Sequence, residues 1–324
     1  MAIIKAEDLS KTFRVYRQGE GIRGYLKNLV KREYDEIDAV KDLDLEIDEG
    51  EMIGYIGANG AGKSTTVKML TGILQPSSGT IEVDGRDPYE QRKKNAKNIG
   101  VVFGQRTQLW WDLPVRESFR LLKEIYEVPD EDYGERMDEF DEVLGLEEFM
   151  DQPVRKLSLG QKMRCELAAA FLHHPKIVYL DEPTIGLDVA VKERIREFIK
   201  KMNREKDTTV MLTTHDMDDI EDLCDRVVVL DEGRKIYDGD LDRLIERFSS
   251  RRMVLDVAEQ VDAELDGVEE VSNEDGRTEV RFDSEKLSAS DLMDHILGEY
   301  DVRDFEIKEP DIETVVKKIY SEGL

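Results

Sequence analysis

The segment Gly57-Ala58-Asn59-Gly60-Ala61-Gly62-Lys63-Ser64-Thr65 has the residue types and spacing that hold a phosphate chain. Its glycines let the backbone curl until successive N–H groups point at one anion. A short apolar run, Met52 to Ile56, leads into it, and a helix is predicted from Lys63 to about Leu74. That helix would add the partial positive charge of its N-terminus at the same place. Lys63 can reach the outer phosphates of a nucleoside triphosphate, and the Ser64 hydroxyl can ligate Mg²⁺. The strand before the turn and the helix after it separate this pattern from a chance glycine-rich loop. Further on, Ile177-Val178-Tyr179-Leu180 reads as a buried strand that ends in Asp181 and Glu182. Open α/β sheets bind ligands at the carboxyl ends of their strands. Asp181 suits the outer shell of Mg²⁺, which keeps several waters. Glu182 can then take a proton from an attacking water.

Elements that would position these groups follow in order along the chain. Strands are predicted over Ile3–Phe13, Val40–Ile47, Thr80–Val83 and Ile99–Phe103, with residues 14–37 an insertion. Residues 115–150 read as largely helical. Helices over 161–173, 190–203 and 216–223 alternate with strands over 176–180, 208–213 and 226–230. Such alternation argues for a mostly parallel sheet with helices packed around it. Beyond about residue 245 the texture changes. Strands over Met253–Val257 and Thr278–Phe282, joined through Asn273-Glu274-Asp275-Gly276, then a helix over Leu287–Leu297, a strand over Val302–Ile307 and a helix over Ile312–Tyr320 read as a small separate α/β domain.

Composition narrows the class. The chain has 324 residues, 40% of them apolar, enough for a sizeable core. No run of about 18 apolar residues is present, so no membrane span is expected. The start, Met1-Ala2-Ile3-Ile4-Lys5-Ala6-Glu7-Asp8, lacks a basic segment followed by an apolar one, so no signal peptide is expected. Cys165 and Cys224, without metal-ligand spacing, read as two reduced thiols. Asp+Glu number 74 against 47 Lys+Arg, a net charge of −27. That field repels nucleic acid and anionic headgroups, and a salt-rich cytoplasm would make it tolerable. Residues 11–32 reverse the sign locally, with Lys11, Arg14, Arg17, Arg23, Lys27, Lys31 and Arg32 against Glu20. The stretch is either a surface for the membrane or a membrane subunit, or a solvated basic loop that balances nearby acids.

With these residues in place, the chain resembles the ATP-binding subunits of ABC transporters, over residues 1 to about 240. Five further features match in the family's order. Gln105 matches the glutamine that touches Mg²⁺ and senses the membrane subunit. Leu157-Ser158-Leu159-Gly160-Gln161 matches the signature motif, in which Ser158 and Gly160 meet the γ-phosphate. Gly186-Leu187-Asp188 matches the loop that runs between two subunits. His215, in Thr213-Thr214-His215-Asp216, matches the histidine that contacts the γ-phosphate. Phe13 is the choice for the ring that stacks on adenine, with Tyr16 and Tyr34 as rivals. Leu159 departs from the usual glycine, and in this it looks like the exporter branch that carries drugs, lipids or other hydrophobic cargo.

The resemblance implies an α/β fold, a P-loop NTPase of ABC ATPase type, with a helical subdomain over about 106–172 and a small C-terminal α/β domain over 245–324. The ATPase domain itself would span residues 1–240, with the insertion at about 14–37. ATP and Mg²⁺ are the implied cofactors. The implied phosphate-binding set is Gly57, Asn59, Gly60, Ala61, Gly62, Lys63, Ser64 and Thr65. Ser64, Gln105 and Asp181 are the metal set, and Glu182, His215 and Gln105 the catalytic set. A head-to-tail dimer would bring Ser158 and Gly160 of one chain to the ATP of the other, where the signature helix aims its N-terminus at the γ-phosphate. The partners implied are a second ATPase subunit, a second copy or a paralogue, and an integral-membrane permease subunit, with no nucleic acid. The location implied is cytoplasmic, peripheral on the inner face of the cell membrane through the permease. Trp110 and Trp111 sit where the family meets membrane-subunit helices, and paired tryptophans suit a docking surface and a core equally well. The competing reading is an ABC ATPase acting on a ribosome or nucleic-acid complex. Those proteins usually carry two ATPase domains or a long coiled coil, and their partners favour basic surfaces.

Overall fold

The computed structural model describes residues 1–16, 34–104, 106–247, 250–257, 259, 261–263, 265–274, 277–283, 286–308, 312, 315–316 and 318–319. The chain divides into two compact units, Met1–Asp238 and Gly239–Leu324.

The first unit is built on a six-stranded sheet. Its strands are β3 (Met52–Gly57), β5 (Ile99–Phe103), β6 (Ile177–Asp181), β7 (Thr209–Thr213), β8 (Arg226–Asp231) and β9 (Arg234–Asp240), in the order β5-β6-β7-β3-β8-β9. The pairs β5–β6, β6–β7, β7–β3 and β3–β8 are parallel. Parallel strands covered on both faces need continuous apolar runs, and β6, β7 and β8 have them in Ile177–Leu180, Val210–Leu212 and Val227–Leu230, all buried. A second, antiparallel sheet consists of β1 (Ala2–Tyr16), β2 (Tyr34–Asp48) and β4 (Ser78–Val83), in the order β2-β1-β4. On β2, Leu43, Leu45 and Ile47 are buried while Asp44, Glu46 and Asp48 face solvent, the period-2 pattern of a half-buried strand. Helix α1 (Lys63–Leu70) supplies Val67, Met69 and Leu70 to the core that these two sheets share.

Helices α2 (Arg92–Asn98), α3 (Val115–Tyr126), α4 (Asp130–Leu144) and α5 (Leu159–Phe171) precede β6, and α6 (Val189–Lys206) and α7 (Met217–Leu223) flank β7. Phe198 of α6 meets both Phe140 of α4 and Phe171 of α5 edge-on at 5.3 Å, which ties α4, α5 and α6 together. No helix among the described residues is long and apolar enough to cross a membrane.

The insertion expected over 14–37 is shorter than the sequence suggested. β1 and β2 continue as a ribbon until Tyr16 pairs with Tyr34. The ribbon is held by polar cross-strand contacts, Arg14 Nε to Glu36 at 3.0 Å and Thr12 Oγ1 to Asp38 at 2.8 Å. It has no buried face to impose an apolar alternation, so the period-2 signal fades there. The basic residues Arg17, Arg23, Lys27, Lys31 and Arg32 lie outside the described residues.

The second unit holds α8 (Leu241–Arg247) and an antiparallel sheet of β10 (Ser250–Val257), β11 (Val268–Glu274), β12 (Arg277–Asp283) and β13 (Val302–Lys308), in the order β11-β12-β10-β13. Helix α9 (Ala289–Glu299) packs Leu292 and Ile296 against Met253, Leu255, Val280 and Phe282. The turn expected to join the strands at 253–257 and 278–282 instead closes the β11–β12 hairpin, where Glu274 pairs with Arg277. β10 lies on the other side of β12. β11 escaped notice because Val268-Glu269-Glu270-Val271-Ser272-Asn273-Glu274 is mostly polar. Of the helix expected over 312–320, residues 312, 315, 316, 318 and 319 are helical and the remainder lies outside the described residues.

Candidate functional site

β3 delivers the chain into the phosphate loop, and α1 leaves it. Gly62 caps α1 at φ 104, a left-handed backbone that favours glycine, and a Cβ there would lie 2.4 Å from the Ala39 carbonyl oxygen. Thr65 and Thr66 N–H donate back to the Gly62 carbonyl at 3.0 and 2.9 Å, closing the first turn of the helix. Lys63 points back over the loop, its Nζ donating to the carbonyls of Gly57 at 2.5 Å and Ala58 at 3.2 Å. Burial lowers the Lys63 pKa, while the charges of Glu182 and Asp181 work against that shift. Behind the loop, Tyr55 Oη shares a hydrogen bond with Thr66 Oγ1 at 3.1 Å.

A cleft of about 570 Å³ opens over this loop. It is lined by Ala58 to Thr65 together with Asp181, Glu182 and His215, so residues far apart in sequence converge there. Lys68, Ile73, Phe103, Gly104, Arg106 and Ile185 complete it, none of which the sequence singled out for binding.

The carboxylates come from the end of β6, where the sheet order places them beside the loop. Asp181 Oδ2 lies 3.5 Å from Ser64 Oγ, and Thr213 Oγ1 donates to Asp181 Oδ1 at 2.5 Å. Glu182 adopts φ +57, a left-handed backbone that costs a non-glycine residue about 1–2 kcal/mol. Its N–H donates to the Thr213 carbonyl at 2.8 Å. Its Oε1 lies 3.2 Å from His215 Nε2, and the His215 N–H reaches Oε2 at 3.4 Å. Burial raises the Glu182 pKa; His215 and Lys63 pull it down, and Asp181 pushes it up. A carboxyl with a raised pKa beside a phosphate-binding loop has the properties of a general base. Ser64 and Asp181 form an all-oxygen donor pair next to the phosphate cradle, which fits Mg²⁺ completed by water and phosphate oxygens. No cluster of three or more His, Cys, Asp or Glu residues arranged for a metal occurs among the described residues.

Gln105 lies outside the described residues. The chain on both sides of it is fixed: Gly104 N–H donates to the Asp181 carbonyl at 2.9 Å, and Thr107 and Gln108 are bound to Glu166 of α5. Glu166 accepts from Thr107 Oγ1 and, at 3.1 Å, from Gln108 N–H, and burial raises its pKa. Trp111 is 54% exposed with the Lys162 ammonium over its ring, and Trp110 is 38% exposed, whereas Leu109 is buried. Both tryptophans are thus outside the core.

Ser158 and Gly160 do not line the cleft. Ser158 caps α5 in a reciprocal box, accepting from Gln161 N–H at 3.2 Å while its own N–H donates to Gln161 Oε1 at 2.9 Å. Phe13 is also absent from the lining. It sits on β1 opposite Ile37, exposed, with the Lys11 ammonium 5.4 Å from its ring centre. Tyr34 is exposed on the same ribbon. Thus the structure brings together Ala58 to Thr65, Asp181, Glu182 and His215, with Gly57 touching the site only through its carbonyl to Lys63, and leaves Ser158, Gly160 and Phe13 apart from them. Sequence reading also passed over Thr213, which bonds Asp181 and Glu182, and over Thr184 and Thr214, next to Glu182 and His215 in the chain, which both bond Asp219. Three threonines beside Glu182 and His215, at the ends of β6 and β7, were the available signal.

A parallel sheet with a phosphate loop at its centre, and with a carboxylate and a histidine aimed at that loop, defines a nucleotide-hydrolysing ATPase of the P-loop class. The family profile described as "ABC transporter" matches residues 40–185. The ABC transporter ATP-binding protein NatA of Bacillus subtilis is 35% identical over 65% of this chain and 85% of its own length. The methionine import ATP-binding protein MetN 2 of Enterococcus faecalis is 31% identical over 84% and 83%. The Nod factor export ATP-binding protein I of Cupriavidus metallidurans is 37% identical over 67% and 71%. A solved dimeric ATP-binding cassette in a post-hydrolysis state with ADP and Pi superposes with a TM-score of 0.60 at 28% identity, covering 74% of this chain and 98% of that one. The chain belongs to the ATP-binding proteins of ABC transporters, and its enzymatic activity is that of an ABC ATPase.

Proposed function

We propose that this protein hydrolyses ATP as a head-to-tail dimer on the inner face of a membrane and powers export through a separate permease subunit. The observation that carries this reading is the convergence of Lys63, Ser64, Asp181, Glu182 and His215 on one cleft, with Ser158 and Gly160 outside it. A half-site of that kind is completed by a second chain. Within it, Gly57 to Thr65 cradle the phosphates and Lys63 neutralises the β- and γ-phosphates. Ser64, Asp181 and Gln105 would hold Mg²⁺, which would supply positive charge against that of the phosphate oxygens. Glu182 takes the proton of the attacking water, and His215, hydrogen-bonded to Glu182, steadies the γ-phosphate. Release of that phosphate removes the contacts between the two chains, which makes the dimer a two-state element biased by its ligand.

Export is favoured by Leu159 in the signature motif, a variant that resembles exporters of hydrophobic cargo, and by the likeness to a Nod factor export protein. The likeness to a methionine import protein stands on the other side. Trp110 and Trp111, exposed together, supply the surface for permease helices. The test is affinity purification of this chain from detergent-solubilised membranes of its own host. A multi-span protein recovered in stoichiometric amount is expected, and its cavity would indicate the cargo. Recovery with ribosomes or nucleic acid, and without a membrane protein, would overturn the transport reading.

A further inference from the structure

Asp219, near the start of α7, is fully buried, an expensive position for a carboxylate unless it is paired and hydrogen-bonded. Its partners come from three separate segments. Arg196 of α6 donates from Nε to Oδ1 at 2.6 Å. Thr184, two residues after Glu182, donates from Oγ1 to Oδ2. Thr214, the residue before His215, approaches the same oxygen at 3.5 Å through its own hydroxyl. Both threonines are themselves 1% exposed, so solvent offers them no alternative partner. Thr214 Oγ1 also accepts from Asp216 N–H at 2.9 Å, which joins this cluster to the first turn of α7.

The consequence lies one or two residues away. Glu182 holds a left-handed backbone, and such conformations persist only where the surroundings over-determine them. On its N-terminal side β6 is locked in the sheet by its pairing with β7. On its C-terminal side the chain is fastened at Thr184, and the fastener is Asp219. The same carboxylate fastens the chain just ahead of His215. We infer that Asp219 is a positioning residue for ATP hydrolysis: by holding Thr184 and Thr214 on one buried oxygen, it fixes the Glu182 carboxylate and the His215 ring at the contact distance seen between them. Asp219 is fully buried and does not line the cleft, and Arg196 keeps its charge compensated. The inference rests on the reading of Glu182 and His215 as the hydrolytic pair.

Thr184→Val removes the donor while keeping the shape of the side chain, and Thr184→Ser restores the hydroxyl. Steady-state hydrolysis of Mg·ATP by the full chain separates a positioning role from a merely structural one. Thr184→Val is expected to lower kcat roughly 10- to 100-fold, the cost of slight misplacement of reacting groups, with KM for ATP within about twofold of the parent. Thr184→Ser is expected to return kcat to within about threefold. Asp219→Asn, which leaves an acceptor for one threonine, should fall between them. A Thr184→Val chain with wild-type kcat would overturn the inference. So would equal loss in the Val and Ser variants, or a loss that disappears once rates are expressed per nucleotide-binding site, since either marks unfolding in place of misalignment. A wild-type chain that binds ATP and does not hydrolyse it is a different result: it contradicts the reading of the hydrolytic pair and removes this inference with it.

Discussion

Glu182 combines a left-handed backbone, partial burial and a histidine within hydrogen-bond distance. Burial favours its neutral form, so its pKa lies above the ordinary glutamate value of about 4.3. A general base works only when ionised. Hydrolysis should therefore decline as the pH falls through a value above that of a free glutamate, and recover as the pH rises again. The acid limb of kcat/KM against pH, which reports the free enzyme and is recorded where the fold is intact by circular dichroism, checks this; a limb at or below about 4.3 would contradict it. At this scale the chemistry-bearing residues were legible from the sequence, because Lys63, Ser64, Asp181 and Glu182 stand in motifs whose spacing carries their chemistry. Thr184 and Asp219 were not. A buried carboxylate and a threonine 35 positions apart in the chain meet only once β6, β7 and α7 have packed. Phe13 was chosen for its flat ring, yet register on an exposed ribbon, opposite Ile37, decides where that ring stands.

At the scale of elements, the parallel strands were the most readable parts, since burial on both faces demands unbroken apolar runs such as Val227–Leu230. Elements with little burial were the least readable, as β11 and the outer end of the β1–β2 ribbon show. The junction between α5 and β5 offers a test of how packing sets a titration. His173, just after α5, stacks on Tyr126 at 3.8 Å, and its Nε2 lies 3.0 Å from the Ile99 carbonyl of β5. Burial lowers its pKa to about 4 from an ordinary 6.5. The unfolded chain therefore binds the proton first as the pH falls below 6.5. Stability supplied by the neutral ring is complete above that pH and is lost progressively down to about 4. The full effect is about 3 kcal/mol, from 1.36 kcal/mol per pH unit. His173→Gln retains a donor toward Ile99 and cannot titrate, so urea unfolding at pH 7 and pH 4.5 should show a smaller difference for the variant than for the parent. Equal differences would contradict the assignment.

Across the whole molecule, a net charge of −27 sets the terms on which two copies can meet. Like charges on approaching chains repel, and salt shortens the range of that repulsion to a few ångströms at molar concentration. Association driven by ATP should accordingly be strongest in high KCl, where the carboxylate surface is screened and the phosphate contacts within the cleft remain. The division at Asp238/Gly239 leaves all the residues proposed for catalysis in the first unit. The central claim is that ATP joins two such chains and that Glu182 ends the joined state by hydrolysis. The most direct measurement is the mass of the full-length Glu182→Gln chain in molar KCl with Mg²⁺ and ATP, with phosphate release followed in the same sample. The account predicts a stable species of twice the monomer mass that retains ATP and releases phosphate at least about 100-fold more slowly than the parent. A Glu182→Gln chain that stays monomeric and releases phosphate at the parent's rate would contradict it.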